Sequence, residues 1–153
     1  MNDKIIRLGV FTFGLIVTSI GIIEVLLSLT GETLIVDDLI KFAGNFMLWR
    51  GLVLGSAGIF LVFGLNIQNP VEVKAQVLLA SIMIWIVGGM EVLDIILGSI
   101  PGEGMEWIST GEQFIGHYGG PYDPGIFLLP LSLALVWVTS RKMSNQGGET
   151  VNE

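Results

Sequence analysis

Four long apolar stretches, separated by polar segments, organise this chain. They cover residues 8–29, 45–65, 77–100 and 122–140. A helix needs about 20 apolar residues to cross a hydrocarbon core of roughly 30 Å, and the first three stretches reach that length directly. The fourth reaches it by beginning near Tyr122, with Pro124 in its first turn and Pro130 as a kink. The pattern predicts an all-α fold, an integral membrane four-helix bundle.

Two of the connecting segments carry apolar side chains between polar ones. The first, residues 32–41, is amphipathic, and we expect it to lie at the membrane interface above the helix ends. The second, residues 103–115, predicts a short interfacial helix with Trp107 at headgroup level. We assign residues 1–142 to a single transmembrane domain and residues 143–153 to a flexible polar tail.

Composition agrees with a membrane environment. Apolar residues make up 52% of the chain, charged residues only 14%, and the mean hydropathy is +0.76. A soluble domain has roughly 25% charged residues. The net charge is −7 and no basic cluster is present, which argues against nucleic-acid binding. The chain has no cysteine, so disulfides and thiol chemistry are excluded.

The positions of the cations predict the orientation in the cell membrane. Lysine and arginine near helix ends favour the cytoplasmic side. One side of the predicted bundle holds most of them: Lys4, Arg7, Lys74, Arg141 and Lys142. Both termini are therefore predicted to be cytoplasmic. The first stretch is longer than a signal-peptide core and lacks an A-x-A cleavage site, so we interpret it as a retained helix.

Four ionisable residues interrupt the apolar stretches: Glu24, Arg50, Glu91 and Asp94. Such a residue at bilayer depth costs roughly 2.5–3.5 kcal/mol on insertion scales, so it normally has a partner or lines a wet cavity. The topology places all four toward the outer membrane face. The charges of three carboxylates and one guanidinium do not cancel. Protonation of one acid, a bound cation, or inward folding of Lys41 or His117 would restore the balance.

Several interpretations of this cluster stay open. Arg50 can pair with one carboxylate and only set the helix register. The acids can form part of a proton or cation pathway. Glu24, Glu91, Asp94 and His117 can ligate manganese, iron or zinc, although metal-binding spacings are missing. The cluster can also hold an anionic headgroup or carboxylate on Arg50 between tryptophan walls. No pattern assigns a cofactor.

Other residues have simpler interpretations. Gly51 and Gly55 form a small-xxx-small pair, which indicates close helix packing within the bundle or a dimer face. Trp49, Trp107 and Trp137 are interpreted as interface anchors, while Trp85, in the middle of its stretch, is expected in the core. His117 is either a loop hydrogen-bonder or a group that switches near neutral pH.

A set of motifs resembles small four-helix membrane proteins of the DoxX-like kind. These are Trp49-Arg50-Gly51, Gly55-x-x-Gly58, Leu61-x-Phe63-Gly64 and the Gly98-Ser99-Ile100-Pro101-Gly102 breaker. The resemblance covers the middle third of the chain. It implies a four-helix bundle and service as a subunit of a membrane redox complex, although many such proteins have no assigned activity. The Glu91-x-x-Asp94 pair and the long third loop fall outside it, so no catalytic role is transferred.

Three classes of function follow from these observations. The first is a non-catalytic accessory subunit of a membrane assembly, whose partners are the lipid bilayer and membrane proteins or a second copy of the chain. The second is a small transport, lipid-binding or ion-binding protein that uses the outer-side charges. The third is a carboxylate/His metal-dependent enzyme, which is least favoured because no G-x-S-x-G, Walker or H-E-x-x-H motif occurs.

Overall fold

The computed structural model describes residues 3–36, 38–64, 70–98 and 120–147, and helices dominate them. The elements in chain order are α1 (Asp3–Thr30), β1 (Leu34–Val36), β2 (Ile40–Phe42), α2 (Met47–Gly64), α3 (Pro70–Gly98) and α4 (Pro124–Gly147). In α1, α2 and α3, the stretches Arg7–Thr30, Met47–Gly64 and Glu72–Leu97 are long and apolar enough to cross a membrane. The apolar part of α4, Pro124–Ser140, is shorter. The predicted helical character is confirmed.

The helix ends differ from the predicted ones where the flanking residues are polar. α1 begins at Asp3, α3 begins at Pro70, and α4 continues to Gly147, inside the segment predicted as a flexible tail. Hydropathy marks only the apolar part of a helix, whereas lysine, glutamate and glutamine extend helices well. Proline is also favoured in the first helical turn, as at Pro70 and Pro124. The predicted interfacial helix at 103–115 lies outside the described residues.

Residues 32–41 contain a feature that the all-α prediction did not include. Strands β1 and β2 pair antiparallel, with Ile35 opposite Lys41 and Val36 opposite Ile40. A run of β-branched and apolar side chains suits such a pair. The hairpin also contacts the residue that leads into α4, because Lys41 N donates to Tyr122 O at 2.8 Å and Tyr122 N donates to Leu39 O at 2.9 Å.

The helices pack in chain order, with α2 and α3 in the centre, α1 against α2, and α4 against α3; α1 and α4 have few contacts. The buried residues that link them include Val17, Leu54, Leu61, Ile84 and Leu128. Many other large apolar side chains face outward, among them Leu26, Phe63, Ile86 and Leu133. Lipid tails are as apolar as leucine, so helices surrounded by lipid can expose such side chains without penalty.

A buried hydrogen bond joins α3 to α4. The indole Nε1 of Trp85 donates to Ser132 Oγ at 2.8 Å, and the Ser132 hydroxyl donates to Leu129 O at 2.8 Å. Ser132 is fully buried. Trp85 therefore lies half-buried at the helix interface and not in the core where it was expected, and its one polar atom has a partner there.

Candidate functional site

Arg50 contacts carboxylates from three other parts of the chain. Its Nε lies 2.7 Å from Glu24 Oε1 on α1, where it donates a hydrogen bond. Its Nη1 lies 3.0 Å from Asp123 Oδ2, just before α4, and 3.4 Å from Glu91 Oε1 on α3. We call these four residues the Arg50 cluster. A single guanidinium on α2 thus joins all four helices at one end of the bundle.

The cluster is largely buried, with Asp123 the most accessible member at 20% side-chain exposure, and its hydrogen bonding is incomplete. Glu24 is fully buried, Glu91 is 8% exposed, and the Arg50 side chain is 11% exposed. Several buried atoms have no hydrogen-bond partner among the described residues: Glu24 Oε2, both oxygens of Glu91, Asp123 Oδ1 and Arg50 Nη2. Roughly 90% or more of buried polar groups in proteins have such a partner. The carboxylates of the Arg50 cluster can therefore accept further N–H or O–H donors.

The Glu91 carboxylate packs against the first turn of α4. A Cβ atom on Gly125 would lie 2.5 Å from Glu91 Oε2 and 2.9 Å from its Cδ, so the carboxylate occupies the space that glycine leaves open. The N-terminus of a helix carries partial positive charge and stabilises a nearby carboxylate. The nearby Ile126 amide donates to the backbone oxygen of Asp123 at 3.2 Å. Glu91 thus lies between two positive features, the guanidinium and the helix end.

A cavity of about 300 Å³ adjoins the Arg50 cluster. Its polar lining comes from Lys41 on the hairpin, Glu91 and Asp94 on α3, and Tyr122 and Asp123 before α4. The side chains of Lys41 and Asp94 form no ion pair with any described residue. The segment 32–41, predicted as an amphipathic stretch above the helix ends, forms the hairpin and contributes to the lining of this cavity through Lys41.

No protein-family model, curated protein or solved structure matches this chain. The resemblance to DoxX-like proteins accordingly stays a prediction.

The structure brings together three of the four predicted charged residues, Glu24, Arg50 and Glu91. Asp94 does not pair with Arg50; its side chain is exposed and lines the cavity instead. Residues three apart on a helix differ in direction by about 60°, which is enough to separate Asp94 from a partner that Glu91 reaches. Asp123 takes its place. An aspartate directly before Pro124 at a helix start was the available signal, since aspartate favours that position.

Of the predicted glycine pair, Gly51 packs its open side against α1, whereas a Cβ atom on Gly55 would meet no atom within 4 Å. A Cβ atom on Gly51 would lie 2.8 Å from Gly21 O and 2.9 Å from Glu24 Cβ, while a Cβ on Gly21 would meet the backbone of Gly55. The two helices are therefore in backbone contact beside the ion pair. This packing places Glu24 opposite Arg50.

The remaining predicted site residues have separate positions. Trp49 and Trp137 are 67% and 56% exposed, so both are available to the surroundings of the bundle as interface anchors require. Trp107 and His117 lie outside the described residues. Within the described ranges, no group of three or more His, Asp or Glu side chains is arranged to hold a metal ion.

Proposed function

We propose that the chain is an integral membrane protein with four membrane-spanning helices and both termini in the cytoplasm. The outward-facing apolar side chains of α1, α2 and α3 support insertion, and the position of the cations supports the orientation. The apolar part of α4, Pro124–Ser140, is at the lower limit of the roughly 17–25 residues that a spanning helix needs. In this orientation the Arg50 cluster and its cavity lie toward the outer face.

We further propose that the protein binds a small ligand carrying a cationic group at the Arg50 cluster, for recognition or transport. The observation that carries this proposal is the Glu91 carboxylate: it is nine-tenths buried and it lines the cavity. Its Oε1 lies 3.4 Å from Arg50 Nη1, yet neither oxygen accepts a hydrogen bond of good geometry within the described residues. An unsatisfied buried acceptor costs about 1–3 kcal/mol, which an incoming N–H donor would recover. Three carboxylates around one guanidinium also attract positive charge.

Ethanolamine is a suitable first probe because its ammonium group carries three N–H donors. At a concentration 100-fold above its Kd, a ligand of the folded state adds about 2.7 kcal/mol of apparent stability. We expect ethanolamine to raise the unfolding temperature of the full chain in mild detergent at constant ionic strength. The Glu91→Gln variant should lose this increase, because the amide has no negative charge and one acceptor fewer.

Glu32→Gln is the matched control for this experiment, since Glu32 is exposed outside the cluster. It should keep the ethanolamine response. An unchanged response in Glu91→Gln, or no response in the unaltered protein, would contradict the proposed binding function.

A second candidate function is the accessory subunit of a membrane assembly, and the hairpin supports it. All three residues of β1 are exposed, and no described strand pairs with its outer edge. Leu34, Ile35, Val36 and Leu39 present 40–55% of their surfaces. An unpaired edge with apolar side chains is a template for contact with another chain.

A photo-crosslinking amino acid at position 35 tests the subunit hypothesis in native membranes. We expect one protein adduct, from a partner that also copurifies in fixed ratio with the unaltered chain. The same probe at position 137, on the exposed face of α4, should label lipid instead. Lipid adducts alone at both positions would rule against a partner at the hairpin.

A further inference from the structure

The cavity beside the Arg50 cluster presents charges of both signs. Lys41 supplies an ammonium group from the hairpin, whereas Glu91, Asp94 and Asp123 supply carboxylates. Glu91 and Asp123 also contact Arg50, but the side chains of Lys41 and Asp94 have no ion pair among the described residues. A ligand that satisfies both of these residues needs a positive and a negative group.

The size and position of the cavity limit the ligand further. A volume of about 300 Å³ is at the lower end of the range of small-molecule sites, roughly 300–1,000 Å³. Asp94 lies four residues from the end of α3, which is about 6 Å along the helix axis. In the proposed orientation, the cavity is therefore at the depth where lipid headgroups meet water.

The unpartnered oxygens of Glu91 indicate the type of cation. Apart from the 3.4 Å contact of Oε1 with Arg50, these oxygens can accept N–H donors, which a primary ammonium has and a quaternary ammonium lacks. Quaternary ammonium sites are instead built from several aromatic faces, and Tyr122 is the one aromatic residue that lines the described cavity. The lysine can take a phosphate as the negative group, because it binds phosphate as a point charge.

We infer that this cavity binds a zwitterion of the phosphoethanolamine type, with its ammonium group at Glu91 and Asp94 and its phosphate at Lys41. This inference rests on the proposed binding function and adds the class of ligand. The same chemistry occurs in free phosphoethanolamine and in the headgroup of a phosphatidylethanolamine lipid. Both groups of the ligand are needed for full affinity.

Calorimetric titration of the full chain in mild detergent tests the soluble form. At constant ionic strength, phosphoethanolamine should bind at least ten-fold more tightly than ethanolamine, phosphocholine or inorganic phosphate. Lys41→Gln should reduce the affinity for phosphoethanolamine to that for ethanolamine and leave ethanolamine binding unchanged. Lys74→Gln, which removes a lysine near the opposite end of α3, is the matched control and should change neither affinity.

Native mass spectrometry with mixed phosphatidylethanolamine and phosphatidylcholine tests the lipid form. Selective retention of phosphatidylethanolamine, lost in Lys41→Gln, assigns the lipid as the source; selectivity for free phosphoethanolamine alone assigns the soluble ligand. Equal binding of ethanolamine and both phosphoethanolamine forms, unaffected by Lys41→Gln, overturns the inference but leaves the proposed function intact. Absence of binding by every amine overturns both.

Discussion

Arg50→Met is expected to lower the free energy of unfolding by about 3–5 kcal/mol, the loss typical when one partner of a buried ion pair is removed. The substitution leaves the carboxylates of Glu24, Glu91 and Asp123 without their common cation. The loss of the cation destabilises the charged form of Glu24 most, because Glu24 is fully buried and Arg50 is its hydrogen-bond donor. Denaturant unfolding of the purified protein in mild detergent measures the change.

Two comparisons separate this effect from a general loss of positive charge. Lys74→Gln also removes a cation but should change stability by less than about 0.5 kcal/mol, as surface substitutions usually do. Arg50→Lys should give an intermediate loss, because lysine keeps the charge but lacks the planar fork of guanidinium donors.

A double-mutant cycle then assigns the energy to the ion pair. Adding Glu24→Gln to Arg50→Met should restore part of the lost stability, since it removes a buried charge that has no partner. If Arg50→Met is as stable as Lys74→Gln, the Arg50 cluster contributes little to holding the helices together, and the structural importance given to it is wrong.

Gly21→Ala is the substitution with the next largest expected effect. The added methyl group would meet the backbone of Gly55 and lie 2.7 Å from Gly51 O. These neighbours are backbone atoms and cannot rotate away, so α1 and α2 must separate. Overpacking of this kind typically costs about 1–3 kcal/mol, occasionally more. Glu24 is on the same helix, one turn further, so the separation should also weaken its contact with Arg50.

Gly9→Ala provides the matched control for Gly21→Ala, because the same substitution is made on the same helix. A Cβ atom on Gly9 has no neighbour within 4 Å. Alanine has the higher helix propensity by about 1 kcal/mol, so Gly9→Ala should be neutral or stabilising. In thermal unfolding in mild detergent, the unfolding temperature should be highest for Gly9→Ala, intermediate for the unaltered protein and lowest for Gly21→Ala. Equal stability of the two variants would contradict the close contact between α1 and α2.

Most, but not all, of the charged residues that meet at Arg50 could be predicted from the sequence. Glu24, Arg50 and Glu91 are recognisable because each interrupts an apolar stretch, and helix geometry brings them to the same level. Asp94 satisfies the same criteria but is exposed, whereas Asp123 lies beside Arg50 although it precedes its helix. Helix geometry fixes the angle between Glu91 and Asp94 at about 60°. The rotation of α3 about its own axis decides which of the two faces Arg50, and that rotation depends on packing against α2 and α4.

The sequence by itself determined the helical character of the chain, the helices apolar enough to span a membrane and the end at which charges gather, because hydropathy and helix rise are local properties. The tertiary structure decided which carboxylates reach Arg50, because side-chain direction is set by how the helices pack. It also decided that residues 34–36 and 40–42 pair as strands and that Lys41 lines the cavity. The hairpin is held beside the start of α4 by backbone hydrogen bonds to Tyr122, which is distant in sequence, and such bonds depend on spatial proximity rather than on residue type.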